Sequence, residues 1–241
     1  ALYPWGFKYE NEPGSYDIRM ALADLYLRLK RPEDALSAAL PITEKQTETY
    51  VLIGECYRAT GNTLQAKNAY WQALGLDPDN AEVNYQLSLW AASEGDLQEA
   101  TAYLKVAAYS ASAPDLFSQV AQSYGSMQQF DSAAVYTRRA IELGGRTPSL
   151  IGQLAFHYST AGMLDSALVT LRDGVDSYPN EPRLWAQLIE VFDALGETDS
   201  IRVAARQMLE IRTTESSVYE RIGQQLIQRG HMETAEECFR K

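Results

Sequence analysis

The chain has 241 residues, 46% hydrophobic and 22% charged, which is enough apolar material for a sizeable core and marks a folded rather than a disordered chain. Its 32 acidic and 21 basic residues leave a net charge of -11, which repels phosphate backbones and argues against nucleic acid or an anionic membrane as partner. No run of about 18 uncharged apolar residues occurs, and the first residues lack the basic-then-apolar layout of a secretory leader, so no direct membrane insertion is expected.

In chain order, residues 1–15 come first, an aromatic-rich arm in which Tyr3, Trp5, Phe7 and Tyr9 alternate with other residues as an extended, one-faced strip would. Those rings would either cap the helices that follow or lie in a groove of the same or a neighbouring molecule, making a homo-oligomer. The start at Ala1 leaves open a trimmed signal, an anchor or an upstream domain, and the expected location is either cytoplasmic or exported, as to a periplasm.

From residue 16 onward a single period organises the chain. A large residue, then an aliphatic with a small neighbour, then an aromatic recurs as Tyr50/Ile53/Gly54/Tyr57, Phe117/Val120/Ala121/Tyr124 and Ile151/Leu154/Ala155/Tyr158. It returns as Trp185/Leu188/Ile189/Phe192 and Tyr219/Ile222/Gly223/Leu226. The last position of the pattern falls at Tyr26, Tyr57, Ala91, Tyr124, Tyr158, Phe192 and Leu226, spaced by 31, 34, 33, 34, 34 and 34. Nine residues after each stands Ala35, Ala66, Ala100, Ala133, Ala167, Ile201 or Ala235, and Gly61, Gly95, Gly162, Gly196 and Gly230 lie between, where a helix must stop and the chain reverse.

Within each half-period the apolar positions share one helical face: Tyr50, Ile53 and Tyr57 in one helix, Ala66, Tyr70 and Ala73 in the next. Small residues such as Gly54 and Ala66 let two antiparallel backbones approach. Thr147-Pro148, Asn180 before Glu181-Pro182, and Asp96 with Glu99 mark helix starts. The predicted helices run near 16–29, 32–45, 47–60, 63–75, 80–93, 96–109, 114–127, 130–143, 147–161, 164–177, 181–195, 198–211, 215–229 and 232–241.

These residues resemble the tetratricopeptide repeat family, whose pattern is matched almost fully from Tyr50 through Ala66, Tyr70, Ala73 and Pro78. The resemblance implies an all-α fold, an α-α superhelix (solenoid) of about seven tetratricopeptide-type helical hairpins near 16–46, 47–79, 80–112, 113–146, 147–180, 181–214 and 215–241. It departs from the pattern where Lys30 and Gln128 stand at turns and where Ala91 replaces the aromatic. It implies a right-handed superhelix with the first helix of each hairpin lining a concave face.

Nothing in the sequence converges on a catalytic, cofactor or metal site, and the chain reads as a non-enzyme. His157 and His231 lie in separate hairpins without a ligand or nucleophile at useful spacing, and His157, between Phe156 and Tyr158, is expected as a packed or groove-lining residue. Gly144-Gly145 has neither a preceding strand nor a Lys-Ser/Thr ending, so it is a turn rather than a phosphate loop. Cys56 and Cys238 fall at inward-facing helix positions and are expected as two buried thiols, which leaves the redox compartment open.

The expected function is a protein–protein interaction scaffold that binds a peptide or partner segment in its groove within a larger assembly; the alternative is a regulatory or substrate-docking region of a larger enzyme. The family register places the groove at Asp24, Arg28, Glu55, Arg58, Tyr85, Leu89, Gln122, Gln153, Phe156, Glu190, Arg221 and Gln224. The subclass that clamps acidic chaperone tails needs Lys and Asn on its early first helices, where this chain has Met20, Asp24 and Leu52. A centre of Tyr85, Leu89 and Phe156 with carboxylates toward both ends suits a segment with apolar anchors and basic flanks. At the other end Ala235, Cys238 and Phe239 leave an apolar flank, so either the protein continues past Lys241 or that face stacks on a partner.

Overall fold

The computed structural model describes residues 16–43, 45–211, 216–228 and 230–240, and the aromatic arm lies outside them. Among the described residues there are fourteen α-helices and no strand. They come as hairpins: α1 (Tyr16–Arg28) with α2 (Pro32–Ala39), α3 (Thr47–Ala59) with α4 (Thr63–Leu76), and α5 (Ala81–Ser93) with α6 (Leu97–Ala111). Next are α7 (Pro114–Ser126) with α8 (Phe130–Gly144) and α9 (Pro148–Thr160) with α10 (Leu164–Ser177). The last are α11 (Pro182–Leu195) with α12 (Thr198–Glu210) and α13 (Ser216–Gln228) with α14 (Met232–Phe239).

One turn geometry closes every hairpin. The residue after each turn donates its backbone N–H to the carbonyl at the last position of the sequence pattern: Arg31 to Tyr26, Asn62 to Tyr57, Asp96 to Ala91, Gln129 to Tyr124, Met163 to Tyr158, Glu197 to Phe192 and His231 to Leu226, at 2.8 to 3.0 Å. This six-residue closure requires a left-handed residue at the turn. Glycine supplies it in five hairpins, while Lys30 (φ 56°) and Gln128 (φ 58°) adopt it with a Cβ in place.

The second helix of the first hairpin ends at Ala39, well short of the expected residue 45. Pro41 is the reason: Leu40 keeps helical geometry and still donates to the Leu36 carbonyl, but Pro41 has no N–H to continue the ladder. At the helix starts, Thr147 accepts from Leu150 N at 3.3 Å and Asp96 from Glu99 N at 2.9 Å. Asn180 does not cap; Glu181 precedes Pro182 and makes no side-chain cap bond. Asn80, which the sequence reading passed over, caps α5 by accepting from Val83 N at 3.2 Å.

The chain divides into two compact units, Ala1–Ala111 and Ser112–Lys241. In the first, Leu22, Ala35, Ile53 and Cys56 centre one buried cluster, and Tyr70, Val83 and Leu87 another. Helix α3 lies so close to α4 that a Cβ on Gly54 would stand 2.6 Å from the fully buried Tyr70 ring, which is why the pattern demands a small residue there. In the second unit one cluster runs from Ala134 through Ile151, Leu171, Leu184, Ile201 and Met208 to Ile222 and Cys238. The Tyr219 hydroxyl donates to the Ile211 carbonyl at 2.9 Å, tying α13 to the end of α12.

Candidate binding surfaces on the first helices

In the second unit the first helices α9, α11 and α13 open a groove of about 840 Å³. Three positions repeat across it at a 34-residue step. Ser149, Arg183 and Ser217 form one row, Gln153, Gln187 and Arg221 the next, and Phe156 begins a third that continues in sequence as Glu190 and Gln224. A step equal to the hairpin length returns each side chain to the same face of successive parallel helices, so the groove is a direct product of the period.

Gln187 ties two of these helices together. Its Nε2 donates to the Gly152 carbonyl at 3.2 Å, and its Oε1 is buried without a hydrogen-bond partner. A Cβ on residue 152 would lie 2.9 Å from that oxygen, so glycine is what admits the amide. Arg221 reaches Glu190 across α13 and α11 at 3.7 Å, with both side chains substantially exposed, so the pair sets local charge more than stability.

Phe156 is 53% exposed, and its ring meets Phe130 edge-on with centroids 6.2 Å apart. A smaller adjoining pocket of about 140 Å³, lined by Phe156, Leu171, Glu190 and Val191, continues the groove between α9 and α11. His157 points inward beside Phe130 and Phe156 and is buried, with Nδ1 unpartnered; burial lowers its pKa below the ordinary imidazole value. It is a packed residue. The two cysteines are free and buried, with burial first and a neighbouring glutamate second pushing the Cys56 thiol up to about 12 and the Cys238 thiol to about 11.

Of the groove residues read from the register, Gln153, Phe156 and Arg221 line the larger groove, Glu190 lines the adjoining pocket, and Gln122 and Gln224 stand exposed on α7 and α13. The other six lie in the first unit. Asp24 and Arg28 pair with each other at 2.8 Å on α1. Glu55 on α3 is partly buried, and its pKa is raised by that burial first and by Glu82 next, with Arg58 opposing and Asp24 adding to it. Arg58 is exposed, Tyr85 half-buried and Leu89 47% exposed. The first-unit positions therefore balance two carboxylates, Asp24 and Glu55, against Arg28 and Arg58, while the second-unit groove holds two arginines and two glutamines beside Glu181.

Sequence reasoning passed over Ser149, Arg183, Gln187 and Ser217. The signal was available: stepping 34 residues from Gln153 gives Gln187 and then Arg221, and the same step from Ser149 gives Arg183 and Ser217.

A tandem series of antiparallel helical hairpins, each closed by the same turn, defines a helical-repeat protein. One of these hairpins has a family match: residues 47–80 match the Tetratricopeptide repeat family, and the remaining hairpins carry the same period and turn. Solved structures agree on the fold. The C-terminal part of a tetratricopeptide repeat-containing protein from Cytophaga hutchinsonii superposes with a TM-score of 0.63 at 14% identity, covering 90% of this chain and 91% of that one. YrrB, a tetratricopeptide protein described as having an unusual peptide-binding site, gives 0.57 at 18% identity over 76% of this chain and 95% of its own. A tetratricopeptide repeat protein from Parabacteroides merdae gives 0.51 at 12% identity, with 93% and 91% covered. No curated protein matches the sequence.

Proposed function

We propose that the chain is a non-catalytic scaffold that holds a segment of a partner protein along its first helices, with the second-unit groove as the principal seat. The observation that carries this reading is the groove across α9, α11 and α13: open, about 840 Å³, with Phe156 more than half exposed beside Gln153, Gln187 and Arg221. An exposed ring with amide and guanidinium donors at regular steps suits an extended segment that offers an apolar side chain to Phe156 and main-chain carbonyls or carboxylates to the donors. The peptide-binding site described for YrrB supports the assignment of ligand class. The net charge of -11 favours protein over nucleic acid as the partner.

Affinity capture from native extract with wild-type chain, Phe156→Glu, and Phe156→Glu combined with Tyr85→Glu tests it. A partner lost in Phe156→Glu at unchanged helicity supports the second-unit groove. Loss only in the double variant moves the seat to the first unit, and full retention in both overturns the groove reading.

A further inference from the structure

The second helices of the second unit carry a periodic surface that the groove does not use. Val135, Val169 and Val203 stand at the same register on α8, α10 and α12, 34 residues apart, and are 58%, 61% and 64% exposed. Scattered surface valines need no explanation, but three at one register, all uncovered, do. Four residues before each is an exposed aspartate (Asp131, Asp165, Asp199), and three residues after each is an exposed arginine (Arg138, Arg172, Arg206). Those spacings put all three side-chain types on one helix face. In the first unit the equivalent positions of the valines hold Ser37, Asn68 and Ala102, and on α14 Glu237, so the device is confined to α8, α10 and α12.

The outer rows have reasons inside the chain. Each aspartate sits in the first turn of its helix, where the backbone dipole favours negative charge. Arg138 hydrogen-bonds the Tyr158 hydroxyl of the next hairpin, and Arg172 lies 5.5 Å from the centroid of the Phe192 ring. The valine row has no such internal reason, since no part of the described chain covers it. The aspartate and arginine rows also flank it at nearly equal distances, about 6 Å and 4.5 Å along the helix axis at 1.5 Å per residue.

A surface with an acidic row, an apolar row and a basic row in that order is self-complementary under one two-fold operation. With the two-fold axis along the valine row, each valine meets its own counterpart and each aspartate row meets the partner copy's arginine row. With the axis across the row, aspartates would face aspartates and arginines would face arginines, which is repulsive. We propose that this face is a homodimer interface in which two copies of the chain associate in parallel through Val135, Val169 and Val203, with Asp131 and Asp165 opposite the arginines of the other copy. Asp199 is already held by Arg202 at 2.5 Å and contributes less.

Sedimentation equilibrium of the full chain over a concentration series is expected to give twice the 26.9 kDa monomer mass for the wild type. Val169→Arg, at an exposed position that leaves helicity intact, is expected to be monomeric. Asp165→Arg, which opposes like charges at two symmetric places, is expected to weaken association roughly tenfold. Orientation is read from single cysteines under mild oxidation, the native thiols being buried. Val135→Cys, Val169→Cys and Val203→Cys are each expected to cross-link to themselves, while Thr160→Cys on a first helix is not. A monomeric wild type, a dimer that survives Val169→Arg, or self-cross-linking by Val169→Cys alone each overturns the proposal.

Discussion

His157 is the residue whose chemistry departs most from its surroundings. Its ring is buried among Phe130, Phe156 and the backbone near Gly125, with an unpartnered Nδ1, so the charged form has nothing to replace the water it would lose. The folded chain therefore binds this proton more weakly than the unfolded one, which titrates near 6.5. Stability from the neutral ring is complete above that value and is lost as pH falls through the lower folded value. Between the unfolded and folded values the loss approaches about 1.4 kcal/mol per pH unit for one proton, and below the folded value it levels off because both states then carry the proton. Urea midpoints measured between about pH 7 and pH 5 should fall faster for the wild type than for His157→Phe, since histidine titrates in that window. Parallel curves would place the histidine's proton in contact with solvent.

At the scale of the element, the hairpin turn separates what composition could and could not tell. Gly61, Gly95, Gly162, Gly196 and Gly230 announced the left-handed turns, and the structure adds that Lys30 and Gln128 take the same conformation without the residue that makes it easy. The tertiary packing of each pair overrides the local preference, which is why the weak repeats keep the common closure. Gln128→Gly should relieve about 1 kcal/mol of left-handed strain, partly offset by the greater freedom of glycine in the unfolded chain, and so raise the thermal midpoint slightly. The reciprocal Gly162→Gln should lower it by a similar amount, and calorimetry of both decides. Helix α2 shows the opposite failure: periodicity ran on to residue 45 because Ala38, Ala39 and Ile42 look apolar-periodic, while Pro41 alone ended the helix. The groove was half legible for the same reason. A family register found Gln153, Phe156 and Arg221, and the same 34-residue step reaches Gln187, but that its amide bonds the Gly152 carbonyl across two helices is visible only in the structure.

For the whole molecule, the period governs how stability is distributed. Each hairpin buries its face only against its neighbours, so free energy is a sum of local and nearest-neighbour contributions rather than one shared core. Leu184 tests this, because it is 1% exposed within the cluster that joins α8 to α14 and lies against Gly174 of the preceding hairpin. Leu184→Ala should cost about 3 kcal/mol through lost transfer energy and a residual cavity. In a repeat array that loss should appear in hydrogen exchange as reduced protection of α9 to α13, with α1 to α3 unchanged, because each hairpin is coupled to its nearest neighbours. Protection lost equally in every helix would instead mean that the two units unfold as one cooperative body, and the additive account of the solenoid would fail.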